Sequence, residues 1–169
     1  MNKEIDRNYL EIFSLRDLVV SKKPSNEFIV ELIDPANFQL NKFFYKNIGK
    51  KHRWFDRLVW TDKQWIDYTV DKKVKTHVLK KEKDLVGYYE LIFHTEQNEI
   101  EIAYLGILEE YQNQKLGSFL LTSAIQSSFL LNPNRVWVHT CSLDHKNALD
   151  NYLSRGMKVF KKDIIKISA

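Results

Sequence analysis

The chain has a single cysteine, Cys141, among its 169 residues, so no disulfide can form within it. A reducing, cytoplasmic setting is expected. Proline and glycine are scarce, at three and five. There is no Pro/Gly-rich linker, internal repeat or low-complexity tract, and a single domain is expected. No apolar run reaches the length of a membrane span: the longest candidate, Leu116 to Leu131, is cut by Ser118, Thr122, Ser123, Gln126, Ser127 and Ser128. The opening MNKEIDRNYLEIF is charged and lacks the apolar core of a secretory leader. No Gly-x-Ser-x-Gly elbow is present, which argues against a nucleophilic hydrolase. Zinc-finger spacing, a basic helix and a ribonucleoprotein-type strand are also missing, which argues against a nucleic-acid partner.

What is there is an ordinary globular composition, 44% apolar and 28% charged, with a net charge of +4. A chain of this length can bury roughly 70% of its unfolded surface, and the mild positive excess suits an anionic ligand.

Alternation predicts strands at Tyr9 to Leu15 and Glu27 to Leu32, the second stopped by Asp34-Pro35. A helix is expected from Asn37 to Asn47, with Phe38, Phe43, Phe44 and Tyr45 on its apolar side and Gly49 ending it. Thr61-Asp62 caps a second helix, Lys63 to Val70. Three strands follow, His77 to Lys81, Val86 to His94 and Glu99 to Ile107, with links short enough for antiparallel pairing. A long helix from Leu116 to Leu130 leads to a strand, Arg135 to Ser142. There Val136, Val138 and Thr140 share one face, and Trp137, His139 and Cys141 the other. A helix from Lys146 to Ser154, stopped by Gly156, precedes two last strands, Met157 to Lys161 and Ile164 to Ile167. Strand, helix, strand implies a parallel crossover. The expectation is a mixed α/β (α+β) domain over 1–169.

Chemistry concentrates in Glu101 to Ser118, EIAYLGILEEYQNQKLGS. A strand runs into a polar loop and then into a helix N-terminus, whose unpartnered N–H groups and dipole favour phosphate. Gly117 permits close backbone approach and Lys115 adds a positive charge.

Gln112 and Gly117 match the acetyl-coenzyme A signature of the GNAT superfamily of N-acetyltransferases, with Lys115 where the first glycine usually stands. Ala148, Tyr152 and Gly156-Met157 resemble the later family motif. The family's usual asparagine falls at His145, with Asn147 close behind, and both remain candidates for the coenzyme. The resemblance covers Lys75 to Lys162, and it implies that 75–169 binds the coenzyme while 1–74 supplies N-terminal strands and acceptor-side helices. The segment Phe44 to Trp65 is similar to that of a largely uncharacterised subgroup and names no substrate. The resemblance implies a mostly antiparallel sheet with a splayed parallel strand pair, flanked by helices. It also implies acetyl-CoA as co-substrate, held by Leu105, Gly106 and Ile107 along the pantetheine arm. Gln112, Asn113, Gln114, Lys115, Leu116, Gly117 and Ser118 would hold its pyrophosphate.

Direct acyl transfer needs a neutral amine, although an alkylammonium has a pKa of about 10.4. A carboxylate can remove the proton, directly or through one water. Glu101 is the candidate base, in a stretch that looks like the strand of histone-acetylating family members; Glu90 is the reserve. Gly106 interrupts a strand, which marks a bulge or a close backbone approach. Tyr152, at the family's tyrosine position, would protonate the leaving thiolate. His139, Cys141, Asp144 and His145 lie close in sequence but match no zinc pattern, so no metal is expected. The early aromatics, Trp54, Phe55, Trp60 and Trp65 among them, suit an acceptor pocket for an apolar or cationic amine. Small-molecule amines, protein N-termini and lysines all remain open as acceptors, as does oligomeric state. The rival readings are a non-catalytic acyl-CoA sensor or scaffold of the same fold and, ranked low, a nucleic-acid-binding module.

Overall fold

The alternating segments join in one seven-stranded sheet in the computed structural model, which describes residues 2–168. Its strands are β1 (Asn2–Ile12), β2 (Phe28–Leu32), β3 (Val74–Lys81), β4 (Asp84–His94), β5 (Glu99–Ile107), β6 (Arg135–Cys141) and β7 (Lys158–Ser168). They lie in the order β2-β3-β4-β5-β6-β1-β7. All neighbours are antiparallel except β5 and β6, which run parallel. The helices are α1 (Phe38–Gly49), α2 (Asp62–Val70), α3 (Leu116–Phe129) and α4 (Ala148–Ser154). This is the mixed, mostly antiparallel architecture that the sequence predicts.

Local signals set the helix starts. The Asn37 side chain accepts from the Gln39 N–H at 3.2 Å, and Thr61 with Gln64 forms a reciprocal capping box ahead of α2. Each face of the sheet then has its own core. On one, Leu120, Leu121, Ala124 and Ile125 of α3 pack on Leu10, Ile100, Ile102, Val136 and Val138. On the other, Phe44 of α1 stacks on Tyr88 at 4.9 Å. Each such buried aliphatic or aromatic side chain contributes about 1.5–3 kcal/mol.

Several bounds shift by a few residues, and four departures from the sequence reading have a clear physical reason. β1 runs from Asn2 to Ile12 rather than from Tyr9 to Leu15, because it pairs with β7 from Asn2 to Glu11 and a 3-10 turn starts at Leu15. β7 is one strand, not two; its Lys161-Lys162-Asp163 run sits on an edge, where charges face water. Gly49 lies inside the last turn of α1, where any Cβ would meet the Trp54 ring, and Lys50 is the C-cap. The β5 bulge falls at Ala103, since Glu90 pairs with Tyr104 and Leu91 with Ile102. Gly106 pairs regularly with Tyr88 and makes room for Ile48, whose Cγ2 would lie 2.6 Å from an added Cβ.

The parallel pair holds for three rungs only, Glu99 with Arg135, Ile100 with Val136 and Glu101 with Trp137. Beyond them β6 follows β1 as far as the Arg7–Cys141 pair, while the bulge at Ala103 keeps β5 on β4. The two strands therefore part in mid-sheet.

Candidate active site

The gap between β5 and β6 opens into a cleft of 630 Å³. It is lined both by Leu116 and Tyr152 from the α3/α4 side and by Ile48, Trp54 and Tyr104 from the α1 side, so it passes through the sheet.

The β5 wall offers free backbone groups. Leu108 N–H donates to Val86 O at 2.8 Å. By the alternation of an antiparallel ladder, residues 104 and 106 also turn toward β4, and Leu105 and Ile107 turn toward the cleft. The Gln112 side-chain amide donates to Ile107 O at 3.4 Å.

The far end of the cleft is the start of α3. Its N-cap, Lys115, sits in the left-handed region at φ 61° and supplies no side-chain cap; Asn113 is also left-handed at φ 64°. The first N–H groups of α3 therefore have no protein partner of the usual kind and face the cleft with Lys115, Gly117 and Ser118. An added Cβ on Gly117 would meet only Asn151 Nδ2, at 3.7 Å. Asn151 Oδ1 is buried without a hydrogen-bond partner.

Of the residues predicted from the sequence, Leu105, Gly106, Ile107, Gln112, Asn113, Lys115, Leu116, Gly117, Ser118, His145, Asn147 and Tyr152 line the cleft. Gln114 is exposed and outside the lining. Glu101 is also outside it; its Oε1 lies 2.9 Å from His94 Nε2, and the side chain is 16% exposed. Tyr152 is nearly enclosed, and burial followed by the Asp144 charge pushes its phenol well above the ordinary range, so it keeps its proton at neutral pH.

Glu90, the reserve base, is fully buried and faces Arg57 rather than the cleft. It also accepts from Tyr68 Oη at 2.7 Å and Asn41 Nδ2 at 2.8 Å, which leaves it committed to structure. The Arg57 guanidinium lies 4.1 Å from the Tyr68 ring, 4.5 Å from Tyr104 and 4.8 Å from Trp60. Part of the early aromatic set thus encloses a cation of the chain itself, and only Trp54 and Phe55 of that set reach the cleft.

That buried anchor positions the loop before it. Trp54 meets Tyr104 edge-on at 4.7 Å. Lys51 pairs with Glu109, just after β5. His52 Nδ1–H donates to Leu143 O, just after β6, at 3.2 Å. The basic stretch Lys50 to Arg53 thus joins both rims of the cleft. Asp56, Tyr104, His139, Arg7 and Asn151 also line the cleft. None carries a motif. Asn151 alone had a local signal, one residue before Tyr152 on the same helix.

The sequence model of the Acetyltransferase (GNAT) family matches residues 32–157. No curated protein sequence matches the chain. Solved structures share its fold. A GCN5-related N-acetyltransferase from Sphaerobacter thermophilus superposes with a TM-score of 0.73 at 13% identity, over 98% of this chain and 52% of that one. One from Kribbella flavida gives 0.64 at 15% identity, over 91% and 54%. This chain therefore spans about half the length of those two proteins. An aminoglycoside acetyltransferase from an uncultured soil metagenomic sample, in complex with trehalose, gives 0.65 at 17% identity, over 79% and 90%. With three quarters of its length inside the family match and a cleft opened by a parting parallel pair, the chain belongs to the GNAT acetyltransferase family.

Proposed function

We propose that the chain is an N-acetyltransferase that moves the acetyl group of acetyl-CoA directly to a primary amine. The observation that carries this reading is the end of the β5–β6 pairing at Glu101 and Trp137, with the uncapped start of α3 at the far end of the resulting cleft.

An acyl-coenzyme A suits these residues. The N–H groups at the start of α3, with Lys115, suit the pyrophosphate. The free backbone edge at Leu105 and Ile107 suits an arm that binds as an added strand would. The orphaned Asn151 Oδ1 is an acceptor waiting for a donor. When bound, the coenzyme supplies the activated acyl group; the chain's task is to orient the amine and to handle protons. Tyr152 holds a proton for the leaving sulfur. Glu101 serves as the carboxylate of the base. Its place outside the lining means that it reaches the amine only through an intervening group.

The acceptor end combines Trp54, Phe55 and Tyr104 with the carboxylate of Asp56. That combination suits an amine whose cationic form is drawn in before it is deprotonated, whether a small molecule, a protein N-terminus or a lysine. The lone thiol of Cys141 suits a reducing, cytoplasmic setting.

Acetyl-CoA should raise the melting temperature, and an amine screen with free-thiol detection should then find turnover that falls in Glu101→Gln and Tyr152→Phe. If acetyl-CoA leaves the melting temperature unchanged, the coenzyme reading fails. If it binds but no amine is acetylated, the non-catalytic sensor replaces the enzyme.

A further inference from the structure

We propose that His139 is the catalytic base that takes the proton from the acceptor's ammonium, with Glu101 acting behind it; the proposal rests on the acyl-transfer reading above. His139 is on β6 two residues past Trp137, the last rung of the parallel pair, so its side chain stands where the strands part. It lines the cleft on the face that also carries Tyr104.

Each of the other histidines has a ring nitrogen engaged or lies outside the cleft. His52 bonds Leu143 O, His94 bonds Glu101, and His145 Nδ1 accepts from the Asn147 N–H. His77 stacks on Tyr89 at 4.6 Å, outside the cleft lining, with Nδ1 buried and unpartnered. His139 makes no hydrogen bond among the described residues, and neither ring nitrogen is sealed from solvent.

The carboxylates in reach are poorer bases. Asp144 Oδ2 accepts from Thr140 Oγ1 at 2.6 Å and from the Cys141 N–H at 2.9 Å. Asp56 is exposed on its loop, where water competes for its carboxylate oxygens. An imidazole is better matched to taking a proton at neutral pH.

Groups from every packed element tune the ring. From β1, Tyr9 lies 5.7 Å away and Arg7 adds positive charge; from β5 comes Glu101, from beyond β6 Asp144, and from the loop after α1 Asp56. Cys141 is the next residue on its own strand face. Burial first, then Arg7, hold the imidazole below the usual histidine range, and the three carboxylates pull the other way. The ring is therefore neutral at pH 7, and its protonated form is supported by Glu101 once the proton arrives.

The proton inventory closes. The ammonium gives one proton to a ring nitrogen of His139. The freed nitrogen forms the N–C bond as the C–S bond breaks. The sulfur takes a proton from Tyr152, which recovers one as the new amide nitrogen sheds its second. His139 releases its proton to water, one per turnover.

The test compares the unaltered chain with His139→Gln, His139→Asn and Glu101→Gln. The amines are benzylamine, spermidine, sisomicin and a lysine-containing peptide, at saturating acetyl-CoA across pH 5.5–9.5. The unaltered chain should show an acid limb in kcat below the usual histidine range. In His139→Gln and His139→Asn, kcat at pH 7 should fall by about 10²-fold or more with acetyl-CoA affinity retained, the limb should vanish, and the rate should climb toward the amine's own pKa. Glu101→Gln should move the limb to lower pH. Histidine-selective NMR of the unaltered chain should show His139 neutral at pH 7. Retention of both rate and limb in the His139 variants, or a His139 resonance protonated at pH 7, overturns the assignment while leaving acyl transfer standing. No turnover by the unaltered chain on any of the four amines overturns the function itself, and His139 with it.

Discussion

Nη1 of Arg57 lies 2.9 Å from Oε2 and 3.2 Å from Oε1 of Glu90, and the two side chains are only 8% and 0% exposed. Removing one member strands the other charge in the interior, at a cost of about 3–5 kcal/mol. Arg57→Met and Glu90→Gln should each lower the urea midpoint by that equivalent. The double change Arg57→Met/Glu90→Gln should cost clearly less than the two singles summed. Additive losses would mean that the pair is not coupled. Because Arg57 follows Trp54 and Asp56, the single variants should also loosen the acceptor end.

Lys115 holds a left-handed conformation at the head of α3. For a residue with a Cβ that conformation costs about 1–2 kcal/mol, and glycine escapes it. Lys115→Gly should therefore be about 1 kcal/mol more stable than Lys115→Ala by thermal unfolding. Both remove the cation, so both should weaken coenzyme binding to a similar degree in calorimetry. Equal stability of the two variants would contradict the left-handed turn.

Gly106→Ala places a methyl 2.6 Å from Ile48 Cγ2 and 3.2 Å from its Cδ1. Overpacking of this kind typically costs 1–3 kcal/mol, a range of about that order being expected here. Ile48→Ala removes the obstacle, so a double-mutant cycle should return a favourable coupling between the two changes. Additivity within error would show that α1 yields without resistance.

His77 is stacked on Tyr89, and burial, then Lys75, push its pKa from 6.5 to about 4. The unfolded chain therefore binds a proton here before the folded chain does. The contribution of this site to stability is complete above pH 6.5 and is lost as pH falls toward 4. Urea unfolding between those limits should show stability falling with acid. His77→Phe, which keeps a stacked ring but cannot titrate, should flatten the slope.

Much of this fold is legible in sequence because its signals are local. Asn37 and Thr61 cap the helices they precede, and the Glu99–Ile107 strand is bounded as its alternation predicts. The extent of β7 was not legible, because Lys161-Lys162-Asp163 reads as a turn unless the strand is known to lie at an edge. Nor was the place of the bulge. Glycine invites one at Gly106, but Ile48, far away in sequence, explains that glycine, and the extra residue is Ala103. The end of the cleft at the start of α3 follows a motif, so the residues that line it there could be named from sequence. The other end could not, since Asp56, Tyr104, His139 and Arg7 meet only through long-range pairing of β1, β5 and β6.

The loop that touches Glu109 through Lys51 and Leu143 through His52 works as a hasp over the slot. A long, thin molecule threaded beneath it cannot lift out sideways while both fastenings hold. It has to slide out lengthwise or wait for the hasp to spring. One fastening is an exposed ion pair, which added salt weakens.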